Sequence, residues 1–177
     1  KDIITMIKTC NVVRESIPNV RFLIYGNKDA VPEYTEECEH LIAELALENN
    51  FELAGFHNNP ELIYSEGDIS ILTSISEGFP FTVIESMSCG IPIVATDVGG
   101  VSEALDHNCG SICKPKDYKE IAHEVVRLLK DEPLRKKMGE NARKKVKEKF
   151  TIEHFIEEFE TTYKNLFRSS MELSNNI

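Results

Sequence analysis

Apolar positions along this chain switch repeatedly between a helical period and short continuous runs. Ile3, Met6, Ile7, Cys10, Val13 and Ile17 form a stripe at helical spacing over Asp2–Ile17, stopped by Pro18-Asn19. Val20–Tyr25 is an apolar run ending at Gly26, the pattern of a strand buried on both faces. A second helix is predicted over Glu33–Asn50, with Cys38, Leu41, Ile42 and Leu45 on one face and an Asn-Asn stop. Strand Phe51–Gly55 follows, then a short helix Glu61–Ser65 opened by Asn59-Pro60. Next come strand Asp68–Thr73, helix Thr82–Cys89 ended by Gly90, and strand Pro92–Ala95. A short helix, Val101–Leu105, and strand Gly110–Cys113 complete the alternation.

Strands that alternate with helices, and that are apolar rather than alternating, predict a parallel sheet covered on both faces. The expected fold is a doubly wound, Rossmann-like α/β domain over residues 1–168, with ligands at the carboxyl ends of the strands. From Tyr118 the pattern is helical only. Ile121, Val125, Leu128 and Leu129 mark one helix, and Leu134–Phe150 is a second. Thr151 is placed to cap a third, Ile152–Phe167, whose stripe of Ile152, Phe155, Ile156, Phe159, Tyr163 and Leu166 reads as core. The tail Ser169–Ile177 reads as frayed.

Composition narrows the classes. The 177 residues carry 41% apolar and 28% charged side chains with a net charge of −10, against a nucleic-acid-binding surface. Arg135–Lys149 is the local exception, with Arg135, Lys136, Lys137, Arg143, Lys144, Lys145, Lys147 and Lys149 against Glu140 and Glu148. Such a run suits peripheral contact with an anionic membrane, but a solvated helix face is the favoured reading. Five cysteines form no CxxC pair, which fits reduced thiols in a cytoplasmic protein. His107, Cys109 and Cys113 match no standard zinc spacing, so no metal is expected. The sequence shows no signal peptide and no apolar run of membrane-spanning length.

The candidate chemistry lies in Ser74–Glu103. Glu77 and Glu85 are separated by seven residues across an apparent loop-to-helix junction. Gly78 allows close backbone approach, and N–H groups from Phe79 to Val83 open a helix as a phosphate would need. Two carboxylates that only accept hydrogen bonds suit sugar and ribose hydroxyls. A first-turn glutamate is equally explained by the helix dipole. Asp97–Val101, with two glycines before another helix, offers a second anion-friendly turn.

Taken together, Ser76–Glu85, Met87–Pro92, Ala95–Gly100 and Glu103 resemble the donor-binding half of family 4 (group 1) retaining glycosyltransferases, more narrowly the bacterial PelF-type exopolysaccharide enzymes. The resemblance implies the C-terminal half of a two-domain GT-B fold, with the active site in the cleft between the domains. It implies that Glu77 contacts donor-sugar hydroxyls, that Gly78, Phe79, Pro80 and Phe81 line the sugar, and that backbone around Phe81, Thr82 and Val83 faces the diphosphate. Glu85 would bind the ribose diol, and backbone at Phe56-His57 would frame the base. Lys1 would be the phosphate-binding lysine, offsetting leaving-group charge without a metal. The implied donor is UDP-glucose and the acceptor a glycan.

The family's first strand, an arginine after it and the acceptor domain would precede Lys1 and lie outside this sequence. The chain by itself is therefore expected to bind nucleotide sugar weakly and not to transfer it. Competing readings are a nucleotide-sugar epimerase of the same architecture and a non-catalytic interaction module. A glycoside hydrolase fits poorly, because its two carboxyls must face each other across one bond.

Overall fold

The computed structural model describes residues 1–174, with side chains through Phe167. Its elements, in chain order, are α1 (Ile3–Ser16), β1 (Phe22–Tyr25), α2 (Pro32–Glu44), β2 (Phe51–Gly55), α3 (Pro60–Ser65), β3 (Ser70–Leu72) and α4 (Phe81–Ser88). These are followed by β4 (Ile93–Thr96), α5 (Val101–Ala104), β5 (Gly110–Cys113), α6 (Tyr118–Lys130), α7 (Glu132–Lys149) and α8 (Ile152–Ser174). Two compact units result, Lys1–Arg143 and a second that begins at Lys144. All five strands belong to the first.

Every strand pairing is parallel, as the apolar runs predict, but the strands form two sheets instead of one. β1 pairs with β2, from Phe22 against Phe51 to Tyr25 against Gly55. β4 lies between β3 and β5, with Leu72 against Ala95 and Thr96 against Cys113. Among the described residues no strand bonds to the other edge of β1 or of β3. A cleft of about 800 Å³ runs there, lined by both edges. This corrects the expectation for Val20–Tyr25: only Phe22 of β1 is buried, and Leu23, Ile24 and Tyr25 are half-buried. β4, with a neighbour on each side, is buried at all four residues. One apolar core nevertheless joins the sheets, with Phe22 and Phe51 from one, Val94 and Cys113 from the other, and Ile7, Val13 and Val125 from the helices between.

Two helix ends show how local chemistry sets the boundaries. α4 stops as expected at Gly90, whose φ is +76°; Gly90 N–H bonds Met87 O (3.0 Å) and Ile91 N–H bonds Ser86 O (3.0 Å). α2 ends at Glu44, well before the Asn-Asn signal, by the same device built on alanine. Ala46 has φ +51°, its N–H bonds Ala43 O (3.0 Å), and Leu47 N–H bonds Ile42 O (2.9 Å). Burial of Leu47, which is 0% exposed, offsets the strain of a left-handed alanine.

The helical end departs further from expectation. Arg135, counted in the basic run, is instead a cap: it donates to Leu128 O (3.0 Å) and Leu129 O (3.3 Å) of α6 and pairs with Asp68 (3.1 Å). Thr151 caps α8, its Oγ1 accepting from His154 N–H (3.2 Å). The α8 stripe is not core. Phe155, Phe159 and Tyr163 are 56%, 51% and 64% exposed, and these rings pack along the helix on one another at 5.2 and 5.4 Å. α8 also runs to Ser174, into the segment expected to fray; residues 175–177 lie outside the described residues.

Candidate functional site

The glutamate pair is built from the exits of β3 and β4. Thr96, fully buried on β4, donates to Ser74 O (2.6 Å) and lies 3.3 Å from Leu72 O, which fixes the path of the chain leaving β3. Thr73 Oγ1 donates to Asp2 O (2.7 Å), tying the start of α1 to that exit. Asp2 caps α1, Oδ1 accepting from Thr5 N–H (3.0 Å). Lys1 is thereby delivered to Glu77, 76 positions away, and its Nζ donates to Glu77 Oε1. Ser74 Oγ donates to the same oxygen (2.5 Å). Burial by itself would raise the Glu77 carboxyl, but the hydrogen bonds from Lys1 and Ser74 and the ammonium charge outweigh it, holding the group below its ordinary value. Glu77 is therefore an anion with Oε2 left to accept from a ligand.

The Asp97–Gly100 turn supports this arrangement instead of forming a second anion site. Gly100 N–H is used by Gly78 O (2.6 Å). A Cβ on Gly99, whose φ is +52°, would stand 2.1 Å from Glu77 O. The two turns nest, and only glycine fits between them.

Around α4 the predicted residues divide. Phe81 and Thr82 are exposed at its first turn, where N–H groups lack intrahelical partners. Val83 is fully buried and its N–H already bonds Pro80 O (3.1 Å), so it offers a ligand nothing. Pro80 is buried as well, Phe79 is 41% exposed, and Gly78 is exposed. Glu85 is half-buried, and Oε2 accepts from the hydroxyl of Tyr64 (3.2 Å). Sequence reasoning missed both Ser74 and Tyr64 as site residues. Ser74 stood inside the motif and could have been found three positions before Glu77; Tyr64, 21 positions before Glu85, had no local signal.

Phe56 and His57 follow β2 and are both exposed. His57 Nδ1 accepts from Asn59 N–H (3.2 Å), and the ring meets Tyr25 edge-on at 6.4 Å. Lys1, Phe56, His57, Tyr64, Thr82 and Glu85 all line the cleft between β1 and β3. These residues bring a cation, the start of α4 and a carboxylate to a cleft whose remaining lining, with Ile24, Ile71, Leu72, Val125 and Leu129, is largely apolar, and the Glu77 anion is held beside it by Lys1. That set matches the parts of a charged, hydroxyl-rich ligand. Among the described residues no cluster of three or more His, Cys, Asp or Glu is placed to hold a metal.

Comparison with known proteins decides the family. The family described as "Glycosyl transferases group 1" matches residues 1–145. The chain belongs to this family. It is 34% identical over 129 residues to N-acetyl-alpha-D-glucosaminyl L-malate synthase of Bacillus anthracis, covering 72% of this chain and 34% of that protein. It is 27% identical over 171 residues to the capsular polysaccharide biosynthesis glycosyltransferase CapM of Staphylococcus aureus, covering 96% and 44%. A solved structure of an S. aureus TarM mutant in complex with fondaparinux, alpha-GlcNAc-glycerol and UDP superposes with a TM-score of 0.80 at 24% identity, over 91% of this chain and 32% of that one. The group 1 chain described here thus has the α/β, GT-B type of fold and spans less than half the length of these curated relatives.

Proposed function

We propose that this chain is the donor-binding half of a retaining glycosyltransferase that transfers a hexose from a UDP-sugar, UDP-glucose in the PelF-like reading, to a glycan acceptor. The observation that carries the proposal is the Lys1–Glu77 pair, with Glu85 one helical turn beyond the α4 start. Glu85 binds the ribose diol, the N–H groups of Phe81 and Thr82 face the diphosphate, and Glu77 accepts from donor-sugar hydroxyls. Gly78 and Phe79 edge the sugar, and Phe56-His57 frames the base. UDP in the TarM structure, which shares the fold, supports the choice of nucleotide.

When the anomeric bond breaks, negative charge develops on the departing diphosphate. The Lys1 ammonium offsets that charge with no metal required. The acceptor attacks on the face the diphosphate leaves, and a diphosphate oxygen takes its proton. The protein supplies orientation and charge, while the acceptor is held by a further domain.

Calorimetric titration with UDP, UDP-glucose, GDP-mannose and ADP-glucose, run in a chelator, tests the reading. Preferential binding of the UDP compounds, weakened in Glu85→Ala, is the expected result. Binding of none of the four would instead favour an interaction module.

A further inference from the structure

Tyr64 lies on α3, an element that contributes no other group to the glutamate pair. Asn59 caps this helix, its side chain accepting from Leu62 N–H (3.3 Å), and Pro60 begins it, so the helix start is locally fixed. From there the half-buried Tyr64 ring reaches across to α4. Its hydroxyl lies 3.2 Å from Glu85 Oε2 and 3.1 Å from Thr82 O. One proton faces two acceptors, and the charged one makes the stronger bond. Burial, and then the neighbouring Glu85 charge, push the phenol well above its ordinary pKa, so it remains a donor throughout the neutral range.

Packing alone would not need that oxygen, because phenylalanine would fill the same space. A free glutamate side chain samples many rotamers and must be ordered when a ligand binds. A donor anchored on a different helix does that ordering in advance, which improves affinity without a new ligand contact. We propose that Tyr64 is a positioning residue that holds the Glu85 carboxylate by Oε2 and so leaves Oε1 aimed at the ribose hydroxyls. The proposal rests on the reading of Glu85 as the ribose ligand.

The test compares UDP with 2′-deoxy-UDP, by calorimetry, on the wild type, Tyr64→Phe and Glu85→Ala, after thermal melts establish that each is folded. The wild type is expected to prefer UDP. Tyr64→Phe should lose about tenfold in UDP affinity, the scale of one hydrogen bond to a charged group, while its affinity for 2′-deoxy-UDP changes much less. Equal weakening of both nucleotides in Tyr64→Phe would overturn the proposal in favour of simple packing. An unchanged preference in Tyr64→Phe, with the preference lost in Glu85→Ala, would overturn it while leaving the ribose reading of Glu85 intact. A preference that survives Glu85→Ala would remove the ribose reading, and the role of Tyr64 with it.

Discussion

Lys1 and Glu77, at opposite ends of the first half of the chain, share a hydrogen bond on Glu77 Oε1, and Ser74 Oγ donates to the same oxygen. The ammonium is half exposed, its side chain 50% accessible, whereas Glu77 is 17% accessible. The carboxylate is thus the fixed partner and the lysine the one free to turn toward a ligand. In the intact transferase, Lys1→Ala should lower kcat by about 10²–10³-fold, the range for loss of one group stabilising developing negative charge. Steady-state kinetics on donor and acceptor measure it, and an effect confined to a raised donor KM would place Lys1 in ground-state binding only.

Gly99→Ala should damage the site from outside it. The left-handed backbone and the 2.1 Å approach to Glu77 O leave no room for a methyl group. A loss of about 1–3 kcal/mol in unfolding free energy is expected, with a fall in activity as the Glu77 turn shifts. Urea denaturation together with donor titration would separate the two effects.

Acid should weaken the fold through two glutamates. Glu124 resembles Glu77: burial raises it, but Arg127 and Ser111, with bonds of 2.7 Å each to Oε2, lower it further than burial lifts it. Folding depresses both carboxyls, so the unfolded chain binds more protons as the pH falls. Their stabilisation is complete above the unfolded value of about 4.3 and disappears as pH drops through the lower folded values. The urea midpoint between pH 3 and 7 should fall on the acid side, and less so in Glu124→Gln.

Thiols should act at the other end of the scale. Burial pushes Cys10 and Cys113 up to about 12 and Cys38 up to about 11. Unfolding releases them to ionise near pH 8.5, so their contribution to stability is full below that pH and declines as pH rises toward the folded values. Cys89, half-buried, should be the first alkylated by iodoacetamide at pH 8, which peptide mass spectrometry reads directly.

Leu47→Ala should cost about 2–5 kcal/mol, because Leu47 is fully buried and also closes the α2 cap. The same residue shows why part of the fold was not legible in the sequence. The α4 end carried Gly90 and was read correctly, while the chemically identical α2 end was built on Ala46, which advertises nothing. Element order, parallel pairing and the Glu77–Glu85 junction followed from periodicity and from glycines. Tertiary effects did not. The function of the Asp97–Gly100 turn depended on a neighbour about twenty residues earlier in the chain. Tyr64 reached Glu85 only through folding.

The division of the strands into two ladders sets which backbone amides of this chain lie open at the cleft. Phe56 and His57 extend from the β1–β2 ladder, Glu77 and Glu85 from the β3–β4–β5 ladder, and among the described residues no backbone bond between strands joins the two. What connects them is the shared apolar core together with hydrogen bonds such as Tyr64 to Glu85 and Thr82 O and Thr73 to Asp2 O. In this chain the cleft-facing edges of β1 and β3 are bonded by no strand among the described residues, so their amide hydrogens are expected to exchange with solvent before those of β4, which has a neighbour on each side.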